Sequence, residues 1–163
     1  FGSVRQAAVQ ELARGWKDDP DTLPLLKDRA RSDKDSPVRQ VAVQELARGW
    51  KDDPDTLPLL KDRARSDQNW LVRQAAVQEL ARGWRNDPDT FNLLCEVATQ
   101  DPFQLQRDYE WQFNPRRTAL DGLLEIAPEN PLVIDLLRDR AANDPDDLLR
   151  QWATEQLAKI DPQ

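Results

Sequence analysis

Thirteen residues from Val4 to Trp16, Val-Arg-Gln-Ala-Ala-Val-Gln-Glu-Leu-Ala-Arg-Gly-Trp, return almost unchanged at Val38–Trp50 and again at Val72–Trp84. The spacing is 34 residues both times, and residues 4–37 agree with 38–71 at 29 of 34 positions. Self-similarity at such a period marks stacked supersecondary units that share one continuous core. A fourth, weaker copy starts at Pro115, where Ala119, Leu123, Pro131, Leu136, Leu137 and Ala141 fall in register. A partial fifth starts at Leu149, with Arg150, Ala153 and Leu157 in place. Between the third and fourth copies the spacing grows from 34 to 43, an insertion that falls within 102–114. The sequence therefore reads as one array over 1–163, with units from 4, 38, 72, 115 and 149.

Each copy holds two helical patterns. Val4, Ala8, Leu12 and Trp16 recur every four residues and form one apolar stripe, with Gln6, Gln10 and Arg14 on the other side. Lys17-Asp18-Asp19-Pro20 then stops this helix and starts the next, with Asp19 as N-cap and Pro20 at the first helical position. Leu23, Leu26 and Ala30 mark the second helix, in which Pro24 and Pro58 are expected to cause a kink. No segment alternates with the period of a strand. The pattern predicts an all-α chain of about nine helices in antiparallel pairs.

Composition narrows the chemistry. There is no His, which removes the commonest general base and metal ligand, and a single Cys, which removes an internal disulfide framework. The residue types argue against an enzyme, a metal site or a cofactor. No apolar run approaches the length of a membrane span and no signal peptide is visible, so a cytoplasmic protein is expected. The chain begins at Phe1 and contains no Met, which points to part of a longer protein.

Tetratricopeptide repeats share the 34-residue period, but their Trp, Leu-Gly, Tyr and late Pro positions do not fit here. What fits is Leu-x-x-Leu-x-x-x-Ala-x-x-Asp, a short turn, then Val-Arg-x-x-Ala-x-x-x-Leu. It reads as Leu23, Leu26, Ala30, Asp33, Val38, Arg39, Ala42 and Leu46, and again as Leu57, Leu60, Ala64, Asp67, Val72, Arg73, Ala76 and Leu80. This resembles the HEAT repeat. The resemblance implies a right-handed α-solenoid, with helix A at Asp19–Ser32 and helix B at Pro37–Trp50 and their equivalents. On helix B, Arg5, Arg39 and Arg73 lie toward the apolar side, where a guanidinium needs an acceptor. Asp33, Asp67 and Asp144, just before the turns, supply it; with Arg39, Arg73 and Arg150 they form a ladder of the kind HEAT arrays use.

The full repeat, with its Asp-Pro-Asp-Thr and Leu-Leu-Lys-Asp-Arg-Ala segments, is similar to the C-terminal HEAT arrays of cyanobacterial NACHT-type NTPases of the STAND class. So is the tail, Asn114-Pro115-Arg116-Arg117-Thr118-Ala119-Leu120 followed by Leu136–Ala141. These are relatives of animal NOD-like receptors and bacterial anti-phage NACHT proteins. The resemblance implies an upstream NTPase domain in the parent chain and a sensor or autoinhibitory role for the repeats. No Gly-x-x-x-x-Gly-Lys-Ser/Thr motif occurs in these 163 residues.

The expected ligand is a protein, bound on the concave face of the B helices. Gln6, Gln10, Arg14, Gln40, Gln44, Arg48, Gln74, Gln78 and Arg82 would line it, with Gln151 and Glu155 at the far end. An array scaffold without a ligand is one alternative. Nucleic acid is another, since Arg14, Arg48 and Arg82 align and HEAT-like DNA-alkylation glycosylases carry such Arg/Trp combinations. The charge argues against it: the net charge is −7, residues 115–163 carry six basic and ten acidic groups, and 4–37 carry seven of each. Trp16, Trp50 and Trp84 end the apolar stripe and are expected to plug gaps between repeats. Trp152 would either cap the last pair or anchor a partner. The insertion clusters Phe103, Tyr109, Trp111 and Phe113, as a plug, an interface or both. Cys95, with no His anywhere, offers no catalytic thiol.

Overall fold

The computed structural model describes residues 2–160. Among them are nine α-helices and one 3₁₀ helix, with no strand. The chain forms two compact units, one ending at Trp84 and one starting at Arg85. No helix among the described residues is long and apolar enough to cross a membrane.

The first unit contains α1 (Gly2–Gly15), α2 (Thr22–Ser32), α3 (Ser36–Gly49), α4 (Thr56–Ser66) and α5 (Trp70–Gly83). Helix α2 packs along α3 and α4 along α5, while α1, α3 and α5 lie side by side in that order. The apolar stripe explains both contacts: Leu26, Ala30, Val38, Ala42, Leu46, Leu60, Ala64, Val72, Ala76 and Leu80 are fully buried. Burial of one leucine is worth about 1.5–3 kcal/mol, so the few leucines of a helix pair outweigh any single polar contact on it.

The start of helix A differs from the expectation. Helices α2 and α4 begin at Thr22 and Thr56, and neither Asp21 nor Asp55 caps with its side chain. Asp19 instead accepts from the Asp21 amide at 2.9 Å, closing a turn ahead of the helix. Pro24 sets this start. Had the helix begun at Pro20, Pro24 would have owed a hydrogen bond to the Pro20 carbonyl and its ring would have struck that oxygen. Starting at Thr22 places Pro24 among the first amides, which have no intrahelical acceptor in any case. Where Asn92 replaces the proline, α6 does begin at Pro88, and Asp87 caps it by accepting from the Asp89 and Thr90 amides. The prolines thus delay the start of the helix.

The second unit contains α6 (Pro88–Gln100), the 3₁₀ helix (Asp108–Phe113), α7 (Pro115–Ile126), α8 (Pro131–Asn143) and α9 (Asp147–Ile160). Helix α6 pairs with α7, and α8 with α9. The 3₁₀ helix, formed by the insertion, touches both α7 and α9. Asn114 links two helix starts: it accepts from the Arg116 amide at 3.0 Å and donates to Asp146 Oδ2 at 3.0 Å. Asp146 in turn accepts from the Leu148 and Leu149 amides at the start of α9.

Candidate functional site

The Asp–Arg positions form a repeated connection with three parts. First, each aspartate orders its own turn: Asp33, Asp67, Asp101 and Asp144 accept from the amide two residues on, at 2.9–3.0 Å. Second, the arginine of the following B helix donates to the same aspartate's carbonyl, as Arg39 does to Asp33 at 2.7 Å and Arg73 to Asp67 at 2.8 Å. Arg150 donates to Asp144 likewise. Third, the arginine's remaining donors grip the aspartate 28 residues ahead. Arg39 holds Asp67 through Nε and Nη2, both at 2.9 Å. Arg116 holds Asp144 the same way at 2.8 Å. Arg5 reaches Asp33 more loosely, at 3.3–3.4 Å, and also contacts Asp35.

Arg116 and Asp101 were left out of the ladder read from the sequence, although both stand in register with Arg5 and Asp67. Arg116 donates to the Asp101 carbonyl at 2.7 Å across 15 residues, where the other repeats use six. The nine extra residues are looped out around an unbroken contact. Arg116 also donates to the Phe103 carbonyl at 3.0 Å and is the largest fully enclosed side chain among the described residues.

Burial alone would raise the Asp67 carboxyl, but hydrogen bonds from Arg39 and the Asn69 amide, with the charges of Arg39 and Arg63, hold it below its ordinary 3.8. Asp33 is likewise held low against burial, by the Asp35 amide, Arg5 and Arg29. A carboxylate with a lowered folded value binds fewer protons folded than unfolded in this range. Its stabilisation is complete above the ordinary value and is lost as pH falls through the folded one. Urea midpoints are therefore expected to fall between about pH 5 and pH 3, and to fall less steeply in Asp67→Asn, which has no such carboxyl to protonate.

On the B helices of the first unit, Arg14, Arg48 and Arg82 do not stand free. Arg14 pairs with Glu45 at 3.1 Å on the next B helix, and Arg48 pairs with Glu79 at 2.9 Å on the one after. Arg82 also meets Glu79. Glu45 and Glu79 are buried, so this is a second inter-helix ladder, between positions 31 apart. The 34-residue recurrence of Glu11, Glu45 and Glu79 was its only sequence signal. The arginine side chains keep about half their surface exposed, at 57%, 47% and 55%. Beside them Gln6, Gln10, Gln40 and Gln44 are half-buried and Gln78 is exposed. Gln74 is buried and belongs to no open stripe; Trp70 stands one turn before it on the same face. In the second unit Gln151 and Glu155 are both exposed.

Trp16, Trp50 and Trp84 are not core plugs. Trp50 and Trp84 are half-buried, each covered by a lysine from the preceding repeat: Lys17 and Lys51 lie 5.5 Å from the respective ring centroids. Trp16 is 62% exposed. The ring ends the stripe past the last helical turn, so its cover comes from a neighbouring unit.

The insertion divides its aromatic residues. Phe103 is buried and packs as core, not interface. Trp111 stacks on Arg117, whose guanidinium lies 4.4 Å from that ring and 5.2 Å from the Trp152 ring. Trp152 is buried and so anchors no external partner. Tyr109 and Phe113 face outward, 60% and 43% exposed. Burial pushes the Cys95 thiol up, away from the reactive thiolate.

A profile of the family described as HEAT repeats matches residues 1–81 and 47–109, more than half of the chain. Comparison with curated proteins and with solved structures returned no match. Arrays of this kind commonly serve as scaffolds for protein interaction. On the matched residues, together with the Asp–Arg ladder and the stacked helix pairs within each unit, the chain belongs to the family of HEAT repeats.

Proposed function

We propose that the chain is a protein-recognition module: the ligand-recognition or autoinhibitory array of a cytoplasmic NACHT-type NTPase. One observation carries the recognition reading. Arg14, Arg48 and Arg82 are held in place by Glu45 and Glu79 yet remain about half exposed, flanked by glutamines. Donors ordered before the ligand arrives lose less side-chain freedom on binding. The glutamates also balance the arginines, which suits a polar protein surface better than a phosphate backbone. Tyr109 and Phe113 supply a second surface of the type enriched at interfaces. The NTPase context rests on the repeat and tail motifs. It requires a phosphate-binding Gly-rich loop upstream in the parent chain.

The test must spare the arginines, because removing them strands two buried glutamates. Gln10→Ala/Gln44→Ala/Gln78→Ala alters the outward face alone, and Tyr109→Ser/Phe113→Ser alters the insertion alone. Both variants are expected to keep the wild-type urea midpoint, and at least one is expected to lose proteins that the wild-type chain captures from lysate. Capture unchanged in both overturns the reading. So does salt-dependent binding of duplex DNA or RNA by the wild-type chain, which would support the nucleic-acid alternative.

A further inference from the structure

The end of the first unit formed by α1 carries a set of binding groups that is filled in the second copy. In the second copy, Lys17 covers the Trp50 ring, and Lys27 Nζ lies 2.9 Å from both Asp53 Oδ1 and Asp55 Oδ2. These hydrogen bonds raise the Lys27 ammonium, Asp55 first among them, and Asp53 is held low by the same lysine. Arg14 fills Glu45. Helix α2, which carries Lys27, packs along α3, where Val38, Ala42 and Leu46 are fully buried. One continuous segment, Lys17 to Ser32, thus supplies two ammonium groups and the helix that packs along α3.

The first copy has the same acceptors. Trp16, Asp19, Asp21 and Glu11 are exposed. None of them has an ion pair or a cation over it among the described residues. Val4 is 67% exposed where Val38 and Val72 are fully buried, and Ala8 is exposed where Ala42 is not. Leu12, Trp16, Asp19, Asp21, Thr22 and Leu25 together line a notch, apolar at its floor and rimmed by the two carboxylates. Asp19 already accepts from the Asp21 amide, which orients that carboxylate as Asp53 is oriented by Asp55.

We propose that this face of α1 docks a basic amphipathic helix of the α2 pattern. That pattern is a Lys, then ten residues later a second Lys preceded by Leu-Leu and followed three residues on by Ala. The first ammonium stacks on Trp16, the second bridges Asp19 and Asp21, and the leucine and alanine cover Val4, Ala8 and Leu12. The occupant comes from outside these 163 residues, because α2, α4, α6 and α8 each already cover their own partner. The surface is separate from the outward glutamine face, and the proposal stands or falls independently of it.

The probe is a fluorescein-labelled peptide with the sequence of residues 17–32, stapled through the solvent-facing positions 28 and 32 because the 11-residue helix it contains is marginal when free in water. Fluorescence anisotropy is expected to show saturable binding to the whole chain. Trp16→Ala in the chain, or Lys17→Glu/Lys27→Glu in the peptide, is expected to weaken it at least about tenfold. Trp16→Ala removes an exposed side chain, so its urea midpoint should match wild type and folding does not confuse the result. Equal binding of the charge-reversed peptide, or no saturation by about 1 mM, overturns the proposal. Self-association of the chain that Trp16→Ala abolishes, without peptide binding, also overturns it and makes a second copy the occupant.

Discussion

Asp144→Asn is expected to destabilise the second unit by about 3–5 kcal/mol, the range for stranding one member of a buried ion pair. Asp144 and Arg116 are only 1% and 2% exposed, and the aspartate accepts from Arg116 Nε and Nη2, Arg140 Nη1 and the Asp146 amide. The amide substitution keeps the shape but removes the charge, and its NH₂ would point a donor at a donor. Arg116 cannot retreat to water, since its Nη1 also holds the Asp101 and Phe103 carbonyls that fix the insertion. The matching change in the first unit, Asp33→Asn, should cost less than about 1 kcal/mol, because the Arg5 side chain is 31% exposed and can rehydrate. Urea unfolding followed by amide exchange, read separately for α7–α9 and α1–α5, compares the two. Equal losses in both variants would remove burial as the cause. With two units present, exchange is the better measure than a single midpoint, since the whole chain need not unfold in one step.

These two aspartates show what was legible in the sequence. Their spacing to Arg5 and Arg116 is the same 28 residues, and that regularity made helix pairs and an Asp–Arg connection readable from letters alone. Burial was not readable, because it depends on which neighbours a copy has. Trp16 and Trp50 are the same residue in near-identical units, yet one is open and the other lies under Lys17. The burial of Glu45 and Glu79 was not readable either, since nothing in one helix reveals that an arginine from the previous helix will close over them. The start of α2 turned on a choice two residues wide, decided by the carbonyl that Pro24 would have met. In the insertion the aromatic residues were visible but their directions were not, as a segment without helical period has no face to assign.

Trp152→Ala is the complementary experiment on that insertion, with an expected cost of about 3–5 kcal/mol for removing a buried indole. Trp152 is 7% exposed on α9, and its ring is one of two, with Trp111, that lie against the Arg117 guanidinium. Removing it leaves a void beside a cation that then has one ring in place of two, so Trp111 and the 3₁₀ helix should loosen with it. Tyr109→Ala differs: the ring is 60% exposed, and its hydroxyl accepts only from Arg107 in an exposed contact at 3.0 Å. A surface change of that kind stays within about 0.5 kcal/mol. Amide exchange of residues 108–113 is expected to accelerate in Trp152→Ala and to stay at the wild-type rate in Tyr109→Ala. If both variants loosen the segment equally, the outward aromatic pair is also holding the fold and cannot be free to meet a partner. If only Trp152→Ala does, the insertion has an inner half that packs α7 against α9 and an outer half, Tyr109 and Phe113, that the fold does not use.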